Sequence, residues 1–357
     1  MHTTKDSLVR VGIDGLGRAG WHLHGETLAD LPGEFTVVGV SDPLTERHRD
    51  PRERFGCRCG TSLDNLLEDD EIELVIVAVP THLHAEHAIR ALEAGKHVLV
   101  EKPMAHSLAE ADRMIEAAEK AGRLLTVNQN YRFTPDFVTL QDVLASGKLG
   151  RIILVRMAWH AYSRRWDWQT IKDLGGGQLN NAGAHAVDRA LLLMGDAEPE
   201  VWCQTECTDL FAGDAESHAK ILLRADEAPL IDIELTNVCA YPQDEWLVMG
   251  TQGGLSGSYA ELRWRYLDPD LLTPRQARRE PTAARSYNRE ELPWREVVCD
   301  LSTDPSAGHR KVYLNLYATL REGKPLAVTA ESVRRQIAAL EICRESDGQW
   351  RTLPSRA

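Results

Sequence analysis

Apolar residues in the first third of the chain fall into short continuous runs at residues 8–13, 35–40, 74–79, 97–100 and 124–127. Between them the apolar positions recur at helical spacing, over residues 19–29, 85–94 and 107–121. The run at 74–79 is continuous enough for a strand buried on both faces. Gly95 and Gly122 close two of the helices, and Ser107-Leu108-Ala109-Glu110 is a capping box that opens one. Repeated strand–helix–strand units predict an α/β fold with a doubly wound parallel sheet. Ligands bind such sheets beyond the carboxyl ends of the strands.

After Thr134 the rhythm changes. A helix (136–146) leads into a long strand (151–159), and a second helix covers 182–194. Strand-like runs at 201–207, 218–223, 230–237 and 245–249 then follow without helices between them. That pattern predicts an α+β domain with an open, mostly antiparallel sheet. The expected domains are residues 1–133 and 134–357, with closing helices near 311–321 and 330–345 free to pack back on the first. Residues 268–309 hold five of the sixteen prolines and few apolar positions, so they read as a lid or an inserted loop. Apolar alternation at Leu230, Ile231, Ile233 and Leu235, and again over 245–249, predicts burial of one sheet face against a second subunit. A homodimer or homotetramer is the expected assembly.

Composition narrows the class. The 357 residues, 43% hydrophobic and 27% charged, are those of an ordinary globular chain of about two domains. A net charge of -13 disfavours nucleic acid and anionic membranes as partners. No apolar run approaches the ~20 residues that span a bilayer, and the first ten residues lack a signal-peptide core. A cytoplasmic location is expected. The seven cysteines, at 57, 59, 203, 207, 239, 299 and 343, are odd in number and scattered. They suit free or structural thiols, and no metal site is expected.

The junction of the first strand and helix carries Gly15-Leu16-Gly17-Arg18-Ala19-Gly20. In this G-x-G-x-x-G, Gly15 permits the turn, Gly17 admits a pyrophosphate, and Gly20 lets helix and strand approach. Arg18 and Ala19 open the helix whose N–H groups face the phosphates. Asp42 ends the second strand, 22 residues after Gly20, where an acid accepts hydrogen bonds from a ribose diol. Asp42 would repel a 2′-phosphate, which favours NAD. Arg47 and Arg49 stand nearby, so NADP is the alternative.

Pro80-Thr81-His82-Leu83-His84 follows the third strand, and Glu101-Lys102-Pro103 follows the fourth. Both stretches lie at the sheet edge that faces a cofactor. Pro80, Thr81, His84, Glu101, Lys102 and Pro103 are therefore assigned to cofactor binding. A lysine between a strand end and a proline is fixed in direction, and the Lys102–Pro103 bond is a candidate cis peptide. The other histidines of this region, His82, His87 and His97, default to loop or core roles. Farther on, Gly175-Gly176-Gly177 precedes a helix on which Asn181 and His185 share a face. The glycines argue for close approach of a ligand.

These motifs together resemble the glucose–fructose oxidoreductase / inositol dehydrogenase (Gfo/Idh/MocA) family. The resemblance lies in the G-x-G-R-x-G start, the block from Pro80 to Pro103 ending in Glu-Lys-Pro, and the block from Gly175 to Asp188. It extends to the strand turn at 248–254 and the last helices. It implies a Rossmann domain, a second domain with an open antiparallel sheet, a tightly held nicotinamide cofactor, and sugar, cyclitol or polyol substrates. It also implies that Lys102 lies near the nicotinamide and the reacting oxygen, that Glu101 and Pro103 shape that turn, and that His185 stands beside the substrate carbinol. The inositol dehydrogenase pattern has an acid four residues before the histidine. This chain has Asn181, which orients a hydroxyl but moves no proton. The proton chemistry then falls to His185 as base, with Lys102 stabilising charge on the same oxygen.

Residues 159–169 carry Trp166, Trp168 and Tyr162 among Arg164, Arg165, Asp167 and Gln169. Aromatic faces stack on the C–H side of a sugar, or else pack within the protein or at a subunit interface. With Asn181, and with Arg132 at the domain junction, which either braces the site or touches substrate, these three aromatics form the expected substrate set. Two other readings compete with a dehydrogenase. One is a redox-assisted glycosidase without net nicotinamide turnover; the other is a non-enzymatic sensor, which would have no need of both Lys102 and His185.

Overall fold

The computed structural model describes residues 7–277, 279–280, 287–301, 304, 306–346 and 348–354. Its first sheet contains β1 (Val9–Asp14), β2 (Phe35–Ser41), β3 (Arg58–Gly60), β4 (Leu74–Val77), β5 (His97–Val100) and β6 (Leu125–Val127). All neighbours run parallel, in the order β3-β2-β1-β4-β5-β6. The chain leaves β1 toward β2 on one side and returns to β4 on the other, which opens a crevice at their carboxyl ends. Every residue of β4 is buried, as its continuous apolar run requires. The strand absent from the pattern, β3, has only three residues, none of them fully buried, at the sheet edge. The capping box at Ser107 forms: its side chain accepts from the Glu110 N–H at 3.2 Å, and Glu110 Oε2 accepts from the His106 N–H at 2.9 Å.

The second sheet adds β7 (Ile152–His160), β8 (Glu200–Glu206), β9 (His218–Arg224), β10 (Leu230–Thr236), β11 (Trp246–Gly250), β12 (Gly253–Gly257), β13 (Glu261–Tyr266), β14 (Arg295–Asp300) and β15 (Arg351–Thr352). The order is β14-β13-β12-β11-β7-β10-β9-β8-β15, antiparallel throughout except where β7 and β10 run parallel. The stretch read as an irregular excursion thus contains a strand, β14, paired along its length with β13. Charged residues on its exposed side hide its period from a hydrophobic reading. Residues 278, 281–286, 302, 303 and 305 of that stretch lie outside the described residues.

Most of the apolar alternation expected to meet a second subunit faces inward. Ile231, Ile233 and Leu235 are fully buried against the chain's own helices, in a core shared with Ala184, Val187 and Leu340. The outward residues of β10 include Asp232 and Glu234, and Lys220 of β9 pairs with Glu234 at 3.2 Å. Apolar positions on that outer face include Leu247 and Met249 of β11, Leu154 of β7, Leu230 of β10 and Leu222 of β9.

The closing helices bind the layers together. Helix Ala307–Glu322 puts Val312, Tyr313 and Leu316 into a core with Val9, Val11 and Ile13 of β1. Helix Ala330–Arg344 puts Val333 and Ile337 against the parallel sheet, while its Ala338, Ala339 and Leu340 join the core of the second sheet. Beside this seam Arg132 makes a buried two-pronged pair with Asp188, at 2.7 and 2.6 Å, and donates to Ser332 Oγ at 3.0 Å. The arginine assigned to substrate is thus committed to bracing helix Ala184–Met194.

Removing one partner of such a pair strands a buried charge. Arg132→Met should lower stability by about 3–5 kcal/mol in urea denaturation. Asp188→Asn in that background should restore part of the loss, because it removes the orphaned carboxylate. A loss under about 1 kcal/mol would be the signature of a solvated pair.

Candidate functional site

The glycine turn shows which of its residues the protein itself requires. Gly15 has φ +94°, and a Cβ there would lie 2.8 Å from the Ala78 carbonyl oxygen. A Cβ on Gly20 would run into the Gly15 carbonyl oxygen. At Gly17 a Cβ would meet nothing within 4 Å. Two glycines are therefore explained by internal packing, while the third keeps open a space that no protein atom uses. A wide π-helical turn, Ala19–Gly25, starts there and runs on as an α-helix through Ala29. Arg18, exposed, stands at its entrance.

Asp42, at the end of β2, is buried. Its Oδ2 accepts from the Leu16 N–H at 2.8 Å and from Arg47 at 3.0 Å, and its Oδ1 accepts from the Leu44 N–H at 2.9 Å. The Leu16 contact ties the acid to the glycine turn. Arg47 is bound to that acid, and its side chain is 45% exposed. Gly17, Arg18, Ala19, Asp42, Arg47, Pro80, Thr81, His84, Glu101, Lys102 and Pro103 line one cleft of about 770 Å³. That volume lies in the range of small-molecule sites. An open glycine, a helix N-terminus and a buried acid at the end of β2 fit a dinucleotide.

At the other end of the crevice β5 delivers Glu101 and Lys102, and the Lys102–Pro103 bond is cis. Glu101 is buried; its Oε1 lies 2.9 Å from His24 Nε2 and accepts from Asn128 Nδ2 at 2.6 Å. Burial pushes this carboxyl up, but His24, Asn128 and Lys102 outweigh it and hold the group below the usual carboxylate range. Tyr313 continues the chain, 2.7 Å from His24 Nδ1. Glu101 thus touches the cleft while its carboxylate serves the interior. His84 is similar: its two nitrogens face the Pro103 and Val79 carbonyl oxygens at 2.8 and 2.9 Å. It fastens the two cleft loops to each other.

Lys102 Nζ donates to the Asn181 carbonyl at 2.9 Å and lies 3.3 Å from Asn181 Oδ1. Burial lowers its pKa to about 8, with Glu101 opposing and Arg18 and Arg165 reinforcing the shift. His185 follows one helical turn later and is buried. Its Nδ1 lies 3.2 Å from Gln129 Oε1. Gln129 Nε2 donates to the Ala184 carbonyl at 3.1 Å, which orients the amide so that its oxygen faces the ring. The hydrogen therefore sits on Nδ1, and Nε2 holds a lone pair. Burial, then the charges of Lys102 and Arg189, push the His185 pKa well down, so the ring is neutral. Tyr131 stacks on it with centroids 4.2 Å apart, and Trp159 lies 5.3 Å from Tyr131. Behind them Arg189, fully buried, pairs with Asp136 at 3.1 Å and Glu245 at 2.8 Å. Gln129, Tyr131 and Trp159 were missed by the sequence reading; the polar cluster directly after β6 was the available signal.

The glycine run lines the cleft, and internal packing gives a second reason for it. A Cβ on Gly175 would lie 2.8 Å from Thr81 Cβ, one on Gly176 would meet the Gln169 and Ile171 backbone, and one on Gly177 would strike Glu216. This packing clasps the second domain's loop against Thr81 at the cleft wall. Trp168, Asp167, Gln169 and Arg165 line the cleft, with Arg165 held by Asp167 at 2.9 Å. Tyr162 and Trp166, 65% and 80% exposed, do not line it.

A family model described as an oxidoreductase family with an NAD-binding Rossmann fold matches residues 9–129. A second, for the GFO/IDH/MocA C-terminal domain, matches residues 137–256. The chain belongs to the GFO/IDH/MocA family of oxidoreductases. It is 32% identical over 193 residues to scyllo-inositol 2-dehydrogenase (NADP(+)) IolW of Bacillus subtilis, covering 54% of this chain and 53% of that one. It is 29% identical over 252 residues to myo-inositol 2-dehydrogenase of Thermotoga maritima, covering 69% and 74%. The match to an uncharacterised oxidoreductase of Schizosaccharomyces pombe, 32% identical, likewise spans about half of each chain, 52%. Among solved structures, the WlbA dehydrogenase of Chromobacterium violaceum in complex with NADH and UDP-GlcNAcA has a TM-score of 0.80 at 23% identity, covering 99% of this chain and 98% of that one. That likeness speaks to the fold. All seven cysteines are free. Among the described residues no helix is long and apolar enough to cross a membrane, and no group of side chains is arranged to hold a metal ion.

The glycines make opposite predictions. Gly17→Ala should melt within about 2 °C of the native protein but weaken NADH binding at least about tenfold, since its methyl enters the open space. Gly20→Ala should instead lower the melting temperature. Thermal melts paired with NADH fluorescence titrations check both.

Proposed function

We propose that this protein is an NAD-dependent dehydrogenase acting on a secondary carbinol of a sugar, cyclitol or sugar derivative. The observation that carries the reading is Lys102 in a cleft that also contains Gly17, Asp42 and Asn181, with the buried His185 one helical turn beyond Asn181 and within reach of the Lys102 charge. The relatives named as inositol dehydrogenases support the substrate class.

Gly15, Gly17, Arg18, Ala19 and Gly20 would hold the pyrophosphate, Asp42 the ribose diol, and the loops at Pro80–Thr81 and Glu101–Pro103 the nicotinamide half. The dinucleotide, when bound, supplies the hydride acceptor. His185 Nε2 takes the hydroxyl proton, which its Nδ1–H tautomer and suppressed basicity leave it free to accept. Lys102 donates to the same oxygen and stabilises negative charge that grows there. Asn181 directs the Lys102 ammonium and offers its amide to a neighbouring hydroxyl. Tyr131 and Trp159 hold the imidazole plane. In the reverse direction the same groups return the proton.

His185→Ala should lower turnover by about 10²–10⁴-fold, while NADH affinity stays within a few-fold. Near-native turnover would remove His185 from the chemistry. A panel of cyclitols, aldoses and uronates, read at the nicotinamide absorbance band, finds the substrate.

Lys102 gives the pH dependence. Its pKa is lowered to about 8, so its charge is complete below that pH and lost above it. Carbonyl reduction should therefore fall as pH rises through about 8, and Lys102→Arg, which stays charged, should flatten that limb even at reduced rate. A limb that persists in Lys102→Arg would belong to another group.

Asp42 sets the cofactor. NADH should bind at least about tenfold tighter than NADPH, and Asp42→Ala should narrow that gap by releasing Arg47 and removing the repulsive charge. Equal affinity in the native protein would reverse the assignment in favour of Arg47 as a phosphate ligand.

A further inference from the structure

His87 lies on helix His84–Glu93, which follows β4, yet its ring reaches across to the last residue of β1. Its Nδ1 is 2.5 Å from Asp14 Oδ2, and the other oxygen of that carboxylate accepts from the Ser41 hydroxyl at 2.7 Å. Asp14 and Ser41 are both buried. An ionised carboxylate accepts at both oxygens, here from the Ser41 hydroxyl and from the ring, which places the shared hydrogen on Nδ1. In the neutral ring Nε2 is then a lone-pair acceptor. Among the described residues it has no hydrogen-bond partner, in contrast to His24 and His84, whose two nitrogens are both engaged.

Asp14, Ser41 and His87 all line the cleft, together with Asp42, Leu44, Thr61, Ser62 and Leu63. Strand order puts Asp14 and Ser41 at the β1–β2 end of the crevice, beside the acid that would bind a ribose, and two or more strands from Lys102 on the far side. A base attached to that ribose has these residues for walls. Most of them offer apolar contact or hydroxyls that serve any base. His87 alone in this set presents a ring nitrogen whose polarity is locked by a buried carboxylate.

We propose that His87 reads the adenine of the dinucleotide: Asp14, braced by Ser41, fixes the Nδ1–H tautomer so that Nε2 accepts a hydrogen bond from the exocyclic amine of the purine. This rests on the dinucleotide reading above and adds to it a specificity for the base. An amino purine satisfies the acceptor. A purine with a carbonyl at the same position sets two lone pairs against each other and leaves the histidine unsatisfied.

The test compares NADH with reduced nicotinamide hypoxanthine dinucleotide, in which that amine is replaced by a carbonyl. Both carry the same fluorescent nicotinamide, so binding is read directly by titration at mildly alkaline pH with no substrate present. The native protein should favour NADH by roughly 5- to 50-fold, the range of one good hydrogen bond against an unsatisfied acceptor. His87→Phe should bring the ratio near one, chiefly by weakening NADH. Asp14→Asn leaves His87 in place but turns an amide N–H toward Nδ1, which moves the ring hydrogen to Nε2; the ratio should fall to one or below. That reversal is not produced by loss of packing, and it decides the matter if His87→Phe fails to fold. Equal binding of the two dinucleotides by the native protein overturns the proposal while leaving the dinucleotide site intact. The same holds if discrimination survives in both variants. Failure to bind either dinucleotide overturns the cofactor reading and this inference with it.

Discussion

A single buried carboxylate organises this molecule. Glu101 sits at the end of β5, and an ionised group in that position is tolerated only when charge and hydrogen bonds surround it. Its partners come from separate parts of the chain. His24 belongs to the helical run after the glycine turn, Asn128 follows β6, and Tyr313 and His309 arrive on the closing helix to engage His24 and Asn128. Satisfying one charge therefore fixes the glycine turn, the end of β6 and the closing helix relative to each other. The next residue is Lys102, whose backbone N–H lies 3.2 Å from Glu101 Oε2. The Lys102 ammonium inherits its position from this cluster.

Burial acts on the two candidate catalytic groups in the same sense and with different results. It lowers the pKa of Lys102 to about 8, which leaves the ammonium charged near neutrality. It lowers that of His185 well below its ordinary value, aided by Lys102 and Arg189, and the ring stays neutral. A fixed cation and a neutral base can therefore stand side by side, each in the protonation state that its role requires. The cations that suppress His185 are themselves anchored: Lys102 on Asn181, and Arg189 within a box of Tyr131, Phe137, Trp159 and Trp246 closed by Asp136 and Glu245.

Much of the fold was legible because burial leaves a periodic mark. Runs such as Leu74–Val77 announce a strand covered on both faces, and Ser107 with Glu110 announces a helix start. The strands that escaped notice, β3 and β12 to β15, are edge, glycine-rich or charged segments whose neighbours on the sheet, and not their own apolar content, hold them extended. In the site, Gly15, Gly17, Gly20, Asp42, Lys102 and His185 stood out because backbone geometry and chemistry restrict what those positions accept. Arg132 and Trp166 also stood out, as residue types suited to a substrate. The first turned out to be a buried brace and the second an exposed surface side chain.

Residue types, their spacing and the strand–helix rhythm by themselves determined the parallel sheet, the glycine turn, the acid after β2, the lysine held before a proline and the family to which these belong. Each is written in local sequence, because each is a constraint on a few consecutive residues. Tertiary structure alone decided which side of β10 faces the core, that the Gly175–Gly177 run packs on Thr81 and Glu216, that Gln129 sets the tautomer of His185, and that Asp14 sets that of His87. The last two pairs are separated by 56 and 73 residues. A hydrogen bond across such a distance depends on how layers stack and where strand ends converge, and no periodicity in the chain records which donor will meet which acceptor.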